Sequence, residues 1–338
     1  MSFRSGFVSI LGRPNAGKST LLNALIGEKV AIVTRKPQTT RTRIHGVLEA
    51  PAKKGRRPAA QIVFVDTPGV LQPNNLMDKR MLQEVHNALE DRDVVLHVVD
   101  ATHRLRTSAQ GTAGAGKGPA VPGPDALVLG LVRKLECPVF LLLNKIDAVE
   151  KESLLPLIAY WSAQHTYAEV IPISARKKDG LETLVDKIIA HLPEGQRYFP
   201  KDQFTDQPER FLVAELVREK ILQFTGEEVP YASAVVVDRF EAPGEQAGKR
   251  TGGRPPLTRI DATIHCERSG QKAILIGKGG AMLKQIGAAA RVEIESLLGT
   301  RVYLGLFVKV AEGWRGSRAF LDSLDWRRQL EEMGGQQK

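Results

Sequence analysis

The chain has 338 residues, of which 42% are hydrophobic and 25% are charged, a composition typical of ordinary globular proteins and unlike that of disordered or membrane-spanning chains. Because this length exceeds what one hydrophobic core usually serves, we expect two domains. The formal net charge of +10 predicts a polyanionic partner, either nucleic acid or an anionic membrane surface, without choosing between them.

The first predicted strand, Phe7 to Leu11, leads into a glycine-rich loop, and a predicted helix, Thr20 to Leu25, follows it. This order is typical of a phosphate-binding loop, in which glycines let backbone N–H groups turn toward phosphates. Lys18 offers charge to the β- and γ-phosphate oxygens, and the Ser19 hydroxyl is a ligand for Mg²⁺. The predicted nucleotide-binding residues here are Gly12, Arg13, Pro14, Asn15, Ala16, Gly17, Lys18, Ser19 and Thr20.

A second apolar strand, Ile62 to Val65, ends in a short polar turn. A carboxylate at a strand end can hold Mg²⁺ through water, and the N–H of Gly69 can approach a γ-phosphate because no side chain intervenes. This turn therefore adds four predicted nucleotide-binding residues, Asp66, Thr67, Pro68 and Gly69.

The basic stretch Thr34 to Arg41, which precedes that strand, contains two adjacent threonines. Either Thr39 or Thr40 is expected to reach Mg²⁺ and the γ-phosphate of a bound nucleoside triphosphate, and we favour Thr40. The predicted metal ligands are Ser19, Thr40 and Asp66.

Two further apolar strands, Pro138 to Leu143 and Val170 to Ile173, end in residues suited to a purine base. The Asp147 carboxylate has two acceptor oxygens that match the N1–H and 2-amino donors of guanine, whereas adenine has no such pair. We expect Lys145 to lie along the ring and to brace the phosphate loop. We expect Asn144 to tie neighbouring loops together and the backbone of Ser174 and Ala175 to meet guanine O6. The predicted residues around the base are Asn144, Lys145, Asp147, Ser174 and Ala175.

Strands alternating with helices from Phe7 to about Leu192 predict an α/β domain with a mostly parallel, doubly wound sheet and ligands beyond the strand carboxyl ends. Residues 51–60 and 107–125 interrupt this pattern and are predicted to be solvated loops, with RNA contact by the basic first loop as the less favoured alternative. The chain from 193 to 208 lacks periodicity, which indicates a linker. The predicted boundaries are 1–195 for a P-loop GTPase domain, 196–208 for the linker, 209–330 for an RNA-binding domain and 331–338 for a tail.

The second domain has the predicted order αββααβ, with a G-K-G-G turn between its two adjacent helices. This combination is typical of a KH domain of the second topology, an α+β fold whose turn clamps a nucleic-acid backbone. Between Lys249 and Lys309, eleven Lys and Arg residues outnumber four Asp and Glu. The predicted elements are a helix at Glu209 to Phe224, a strand at Tyr231 to Phe240, an excursion at 242–256, a strand at Leu257 to Glu267, a short helix, a helix at Ala281 to Leu298 and a strand at Arg301 to Val310. The predicted RNA-binding residues are Ile276, Gly277, Lys278, Gly279, Gly280 and Lys284.

Cysteine usage and hydropathy predict the compartment. Cys137 and Cys266 are far apart in sequence, so we expect reduced thiols of a cytoplasmic protein rather than a metal cluster. No apolar run reaches transmembrane length and no signal peptide is recognisable, which leaves at most peripheral contact with the inner face of the cell membrane. A monomer is expected.

Taken together, these motifs resemble the Era family of bacterial GTPases over nearly the full chain. The resemblance rests on G-R-P-N-x-G-K-S-T at 12–20, R-K-P-Q-T-T-R at 35–41, D-T-P-G at 66–69, N-K-x-D at 144–147, S-A at 174–175 and G-K-G-G at 277–280. It implies a switch that binds GTP or GDP with Mg²⁺, hydrolyses GTP and binds near the 3′ end of 16S rRNA in maturation of the small (30S) ribosomal subunit. The loops at 51–60, 107–125 and 242–256 look longer than the family's usual ones, so contacts made there are not implied.

Catalysis is expected to be slow, because Val70 and Leu71 follow Gly69 where Ras-like enzymes place a water-orienting glutamine. The resemblance implies that Asn15 helps to hold a K⁺ ion that replaces an arginine finger. The predicted catalytic residues are Asn15, Lys18, Thr40 and Gly69. Two alternatives stay open: a non-catalytic RNA-binding sensor of guanine nucleotides, and a peripheral membrane signalling GTPase.

Overall fold

The structure is a computed structural model that describes residues 2–90, 92–103, 121, 123–242 and 257–327. The chain divides into two compact units, Met1–Asn74 with Asp78–Asp206, and Asn75–Met77 with Gln207–Lys338. No helix among the described residues is long and apolar enough to cross a membrane.

A six-stranded sheet forms the centre of the first unit, in the order β2-β3-β1-β4-β5-β6. Only β2 runs antiparallel to its neighbour, β3, and the other pairs are parallel. This arrangement confirms the predicted mostly parallel sheet. The strands are β1 (Arg4–Leu11), β2 (Ile44–Ala50), β3 (Ala60–Asp66), β4 (Val94–Asp100), β5 (Val139–Asn144) and β6 (Glu169–Ile173).

Helices cover both faces of this sheet. Strands β3, β4 and β5 are buried along their whole length, as expected for parallel strands between two helical layers. One core includes Leu21 and Ile188 from two of the helices, and another includes Val85 and Val128 from two more. The helices are α1 (Lys18–Ile26), α2 (Leu76–Asn87), α3 (Pro124–Val132), α4 (Leu154–Ser162) and α5 (Leu181–His191). The carboxyl ends of the five parallel strands therefore meet at one edge, where the predicted motifs begin.

The loop at 51–60 is mostly exposed, as predicted, but ion pairs also hold it against α5. Arg57 is only 8% exposed, and its guanidinium donates to Asp186 on α5 at 2.6 Å. Arg56 pairs with the same carboxylate at 2.5 Å, and Lys53 pairs with Glu182. The basic residues of this loop thus fix it to α5. Of the second predicted loop, 104–120 and 122 lie outside the described residues, and α3 already begins at Pro124.

The predicted linker is bound to the first unit for most of its length. The Gln61 side chain accepts hydrogen bonds from the N–H groups of Tyr198 and Phe199. Further along, the Val47 N–H donates to the Phe204 carbonyl at 2.9 Å, and the His45 ring lies 2.7 Å from an Asp206 oxygen. Residues 198–206 therefore run against β3 and β2.

The second unit has the predicted αββααβ order. Its sheet has the order β7-β8-β9, in which β7 and β8 are antiparallel and β8 and β9 are parallel. The predicted strand at Tyr231 begins three residues late, because Tyr231 and Ala232 hydrogen-bond to Glu228 in a turn. The elements are α6 (Glu209–Phe224), β7 (Ala234–Glu241), β8 (Leu257–Cys266), α7 (Ser269–Ile276), α8 (Ala281–Leu298), β9 (Arg301–Val310) and α9 (Arg318–Ser323). The excursion predicted at 242–256 falls, after residue 242, outside the described residues.

Candidate functional site

The phosphate-loop motif connects β1 to α1, and its backbone conformation explains its residues. Gly17 has a φ of +96°, a region that side chains disfavour, and a Cβ built there would lie 2.3 Å from Asn144 Nδ2. Asn15 also has a positive φ of 60°, and its side-chain Nδ2 donates to the Arg35 carbonyl at 2.9 Å. The loop is thereby joined to the segment 34–41.

Lys18 lies beneath this loop and is only 6% exposed. Its ammonium donates to the carbonyl oxygens of Gly12 and Arg13, both at 3.2 Å. Burial lowers the pKa of Lys18, and the Asp66 carboxylate opposes that shift. A buried ammonium with two carbonyl partners keeps a third proton for an anion at the loop.

Ser19, Thr40 and Asp66 bring three side-chain oxygens together. Ser19 Oγ lies 2.6 Å from Asp66 Oδ2 and 2.9 Å from Thr40 Oγ1, which in turn lies 3.3 Å from Asp66 Oδ2. Burial raises the pKa of Asp66, while Lys18 and the two hydroxyl groups lower it. Within the described part of the chain, the buried Asp66 Oδ1 has no well-formed hydrogen bond. Hard oxygen donors around an unsatisfied carboxylate oxygen fit Mg²⁺.

Thr39 points elsewhere. Its hydroxyl donates to the Lys36 carbonyl at 2.8 Å and lies 2.9 Å from Thr34 Oγ1, within the same segment. The geometry thus brings Thr40, and not Thr39, to the oxygen cluster.

Asn144 joins three loops at the end of β5. Its Nδ2 donates to the Ala16 carbonyl at 2.9 Å, and its Oδ1 accepts from the N–H groups of Lys145 at 2.8 Å and Ala175 at 3.0 Å. The backbone of Ser174 and Ala175 is predicted to meet guanine O6, and in this structure the Ala175 N–H donates to Asn144.

Lys145 braces the phosphate loop, as its motif predicts. Its ammonium donates to the Asn15 carbonyl at 2.8 Å and to Asp100 at 2.7 Å. Burial opposes ionisation of Asp100, but hydrogen bonds from Lys145 and Thr102 outweigh it and lower the pKa. Asp100 also lies 3.4 Å from Arg13. Sequence reasoning missed Asp100, although its place at the end of the apolar strand β4 is the same signal that revealed Asp66.

Asp147 is exposed beside the S-A segment. Its Oδ1 accepts from Ser174 Oγ at 2.6 Å, which fixes the carboxylate and leaves Oδ2 for a further partner. The Ser174 hydroxyl in turn accepts from the Lys177 N–H at 3.1 Å. A base that enters here meets an oriented carboxylate.

Thr67, inside the D-T-P-G turn, and Val70, which directly follows the turn, face inward. The Thr67 hydroxyl donates to the Ile10 carbonyl at 2.7 Å, and Val70 packs with Leu11 and Val85 in a core. Gly69 lies against Pro14, with space for no Cβ. Val70 therefore has no access to an attacking water.

The G-K-G-G turn joins α7 to α8 in the second unit. Gly279 has a φ of +59° and Gly280 a φ of +81°, and Lys278 and Gly279 are exposed. A groove continues from this turn between α8 and β9, with apolar and cationic side chains on its walls. Its residues include Leu283, Lys284, Gly287, Arg291, Arg301 and Leu306.

Two family models match the chain, a 50S ribosome-binding GTPase model over residues 7–145 and a KH domain model over residues 228–315. Among curated relatives, GTPase Era of Geobacter metallireducens is 44% identical over 325 residues, covering 96% of this chain and 98% of the relative. The chain belongs to the Era family of GTPases. GTPase Era of Heliobacterium modesticaldum is also 44% identical and covers 97% and 99% of the two chains.

Solved Era structures are similar over nearly the whole chain. A variant of Era from Aquifex aeolicus bound to GDP·AlF4⁻ has a TM-score of 0.82 at 38% identity and covers 96% of this chain and 99% of that one. Era in complex with MgGDPNP and nucleotides 1506–1542 of 16S ribosomal RNA has a TM-score of 0.83 with the same identity and coverage. Membership in the Era family confirms the predicted GTPase activity and the pairing of a P-loop GTPase fold with a KH fold.

Proposed function

We propose that this Era-family GTPase is a switch whose GTP-bound form binds the 3′ region of 16S rRNA through its KH unit during maturation of the 30S subunit. The observation that carries this proposal is the G-K-G-G turn opening onto a groove with Lys284, Arg291 and Arg301 on its walls. A similar Era binds nucleotides 1506–1542 of 16S rRNA. RNA of this kind is recognised through a clamped backbone and unpaired bases, for which a glycine turn and a partly apolar groove are suited.

For the nucleotide, we assign guanine recognition to Asp147 and phosphate binding to Lys18. One Asp147 carboxylate oxygen accepts from the Ser174 hydroxyl, and the other is available to a base. The Lys18 ammonium donates to the carbonyl oxygens of Gly12 and Arg13, which places its charge at the phosphate loop. The predicted nucleotide-binding residues at 12–20, 66–69, 144, 145, 147 and 174–175 lie at or just after the carboxyl ends of β1, β3, β5 and β6, with 18–20 in the first turn of α1.

Ser19, Thr40 and Asp66 are the residues we assign to Mg²⁺. Their oxygens already lie within 3.3 Å of one another, and Asp66 Oδ1 lacks a well-formed partner among the described residues. When bound, Mg²⁺ would supply positive charge to the β- and γ-phosphates. Thr40 would then order the segment 34–41 in the GTP form, because it is the part of that segment that reaches the cluster.

Hydrolysis needs an oriented water and charge stabilisation, and the buried apolar side chain of Val70 cannot orient the water. We assign the Gly69 N–H to the γ-phosphate and a K⁺ ion to Asn15, whose side chain bridges the phosphate loop and the Arg35 carbonyl. Asn15, Lys18, Thr40 and Gly69 are the proposed catalytic residues.

We place this activity in the cytoplasm, where ribosomal subunits mature, and propose a monomer. The basic charge would also suit an anionic membrane surface at the inner face of the cell membrane. The glycine turn favours RNA, because a membrane surface requires no backbone clamp.

The testing experiment measures binding of the full-length protein to RNA of nucleotides 1506–1542, with GDP and with a non-hydrolysable GTP analogue. Tight binding only with the analogue is expected, and Gly279→Asp should abolish it by placing a carboxylate where a phosphate must approach. Gly299→Asp is the matched control, since Gly299 also has a positive φ and open space around its Cβ position, at the other end of α8. Equal binding in both nucleotide states would overturn the switch, and equal binding by Gly279→Asp would overturn the clamp.

A further inference from the structure

We propose that the outer face of β9 is a second RNA-contact surface, on which the rings of Tyr303 and Phe307 stack unpaired bases that flank the nucleotides in the KH groove. This inference rests on the proposed rRNA-binding function and extends it from the groove to the outer face of β9.

The register of the sheet decides which side chains share this face. β8 and β9 are parallel, with Arg259 opposite Tyr303 and Thr263 opposite Phe307. Leu306 faces the other way, because a Cβ built on Gly287 of α8 would lie 3.3 Å from its side chain. Tyr303 and Phe307, at odd positions, therefore lie on the face turned away from α8.

The two rings are unusually accessible for aromatic side chains. Tyr303 is 51% exposed and Phe307 is 56% exposed, although aromatic residues normally bury most of their large apolar surface. The Arg259 guanidinium lies 5.0 Å from the centre of the Tyr303 ring. Aromatic rings and arginine planes are the surfaces on which proteins stack unpaired bases, with little dependence on sequence.

Charge along β9 favours a nucleic acid as the occupant. The strand carries Arg301 and Lys309 on this face and no acidic residue. The acidic side chains described on this face, Asp238, Glu241 and Asp261, lie on the other two strands and have polar partners. Asp238 accepts from the Thr263 hydroxyl, Glu241 pairs with Arg239, and Asp261 lies 4.0 Å from Arg259. Cations beside exposed rings provide phosphate and base contacts together.

The face is continuous with the groove. Arg301 and Tyr303 line the groove as well, and β9 is an outer strand of its sheet. A KH turn clamps about four nucleotides, so a longer RNA has to leave the groove. An RNA that crosses the β9 edge next meets Tyr303 and then Phe307.

The test compares Tyr303→Leu and Phe307→Leu, which keep an apolar side chain but remove the ring, with the conservative swaps Tyr303→Phe and Phe307→Tyr. The full-length protein with a non-hydrolysable GTP analogue is titrated with RNA of nucleotides 1506–1542 and with pieces shortened from each end to about four nucleotides. Each leucine variant is expected to bind the long RNA about 5- to 150-fold more weakly, and Phe307→Leu, which lies outside the groove lining, is expected to bind the shortest bound piece as the wild type does. The conservative swaps and Tyr198→Leu, a change at an exposed tyrosine of the first unit, should bind like the wild type.

Wild-type affinity of both leucine variants for the long RNA would overturn the inference, leave the proposed function standing and indicate a protein as the occupant. Absence of wild-type binding to every RNA would instead overturn the proposed function itself. If a leucine variant is too unstable to be titrated, cross-linking of RNA to the wild-type protein tests the same inference. RNA with 5-bromouracil at the flanking positions is expected to cross-link to Phe307, and cross-links confined to the groove lining, Tyr303 included, would overturn the inference.

Discussion

Asn144 Nδ2 donates a 2.9 Å hydrogen bond to the Ala16 carbonyl oxygen, so the N-K-x-D segment is joined directly to the phosphate loop. Ala16 is fully buried, and its carbonyl would lose this donor if the amide were changed. The base end and the phosphate end of the nucleotide site therefore depend on one side chain.

Asn144→Asp should weaken both GTP and GDP binding by about 10- to 100-fold and destabilise the protein by about 1–3 kcal/mol, because a carboxylate would face an unpaired carbonyl. Fluorescent-nucleotide titration and thermal unfolding measure the two effects. Asn87→Asp is the control, since the Asn87 side chain accepts from Gln83 on the exposed side of α2 and an aspartate still can. Loss of GTP affinity alone would contradict this assignment.

Asp147→Asn should exchange guanine preference for xanthine preference. Xanthine presents an oxygen in place of the 2-amino group, and the amide of asparagine can donate to it. We expect about a 10- to 100-fold loss of GTP affinity and a gain for XTP, measured by competition titration. Unchanged discrimination between GTP and XTP would place base recognition elsewhere.

Thr40→Ala should leave GDP binding unchanged while it removes the extra affinity for RNA that the GTP analogue confers. The cause is loss of one of three oxygens at the proposed Mg²⁺ site, with a drop in Mg²⁺ affinity of about tenfold or more. Thr39→Ala is the matched control, because the neighbouring Thr39 hydroxyl donates to the Lys36 carbonyl and lies 2.9 Å from Thr34 Oγ1. If Thr39→Ala has the larger effect, the assignment of the two threonines is reversed.

GTP hydrolysis should be faster in KCl than in NaCl at equal ionic strength, by about tenfold or more but less than the 10³- to 10⁵-fold effect of an arginine finger. Asn15→Ala should abolish the difference between the salts. Phosphate release is measured, with choline chloride as the control for ionic strength. Equal wild-type rates in KCl and NaCl would remove K⁺ from the mechanism.

The stability of the protein should fall on acidification because of His97 on β4. Burial, helped by His165, lowers the pKa of His97 from 6.5 to about 3. Below pH 6.5 the unfolded chain binds a proton here that the folded protein does not bind. The free energy of unfolding should therefore drop by about 2 kcal/mol between pH 7 and pH 5.

Urea unfolding at pH 7, 6 and 5 measures this slope. His97→Phe should flatten it, whatever it does to absolute stability, and His191→Gln at an exposed helix end should not. An identical slope in His97→Phe and the wild type would assign the acid sensitivity to other groups.

Local patterns were sufficient for much of the fold. The bounds of α6, α8 and β9 match their predictions. The signals for these bounds, hydrophobic periodicity and flanking glycines, are local and can be read from the segment and its immediate neighbours. The proximity of Ser19 and Asp66 was predictable because each lies just beyond or at the end of a parallel strand, and parallel strands end at one edge.

Long-range partners were not predictable in the same way. The ion pair between Arg57 and Asp186 joins residues 129 positions apart. The basic run around Arg57 does not indicate which acidic residue will be its partner. Asp100 pairs with Lys145 and Arg13 across three loops, and the Ala175 N–H is taken by Asn144, contacts that arise only when the sheet is assembled.

Strand β2 is an outer strand, and it is not left open: the Val47 N–H reaches the Phe204 carbonyl and the Thr205 hydroxyl reaches the His45 carbonyl. Uncovered strand edges recruit strands from other molecules and promote aggregation. Residues 203–206 thus shield the GTPase fold from pairing with its own copies. A GTPase fragment cut at residue 195 would lose that shield, whereas one that extends to Asp206 would keep it.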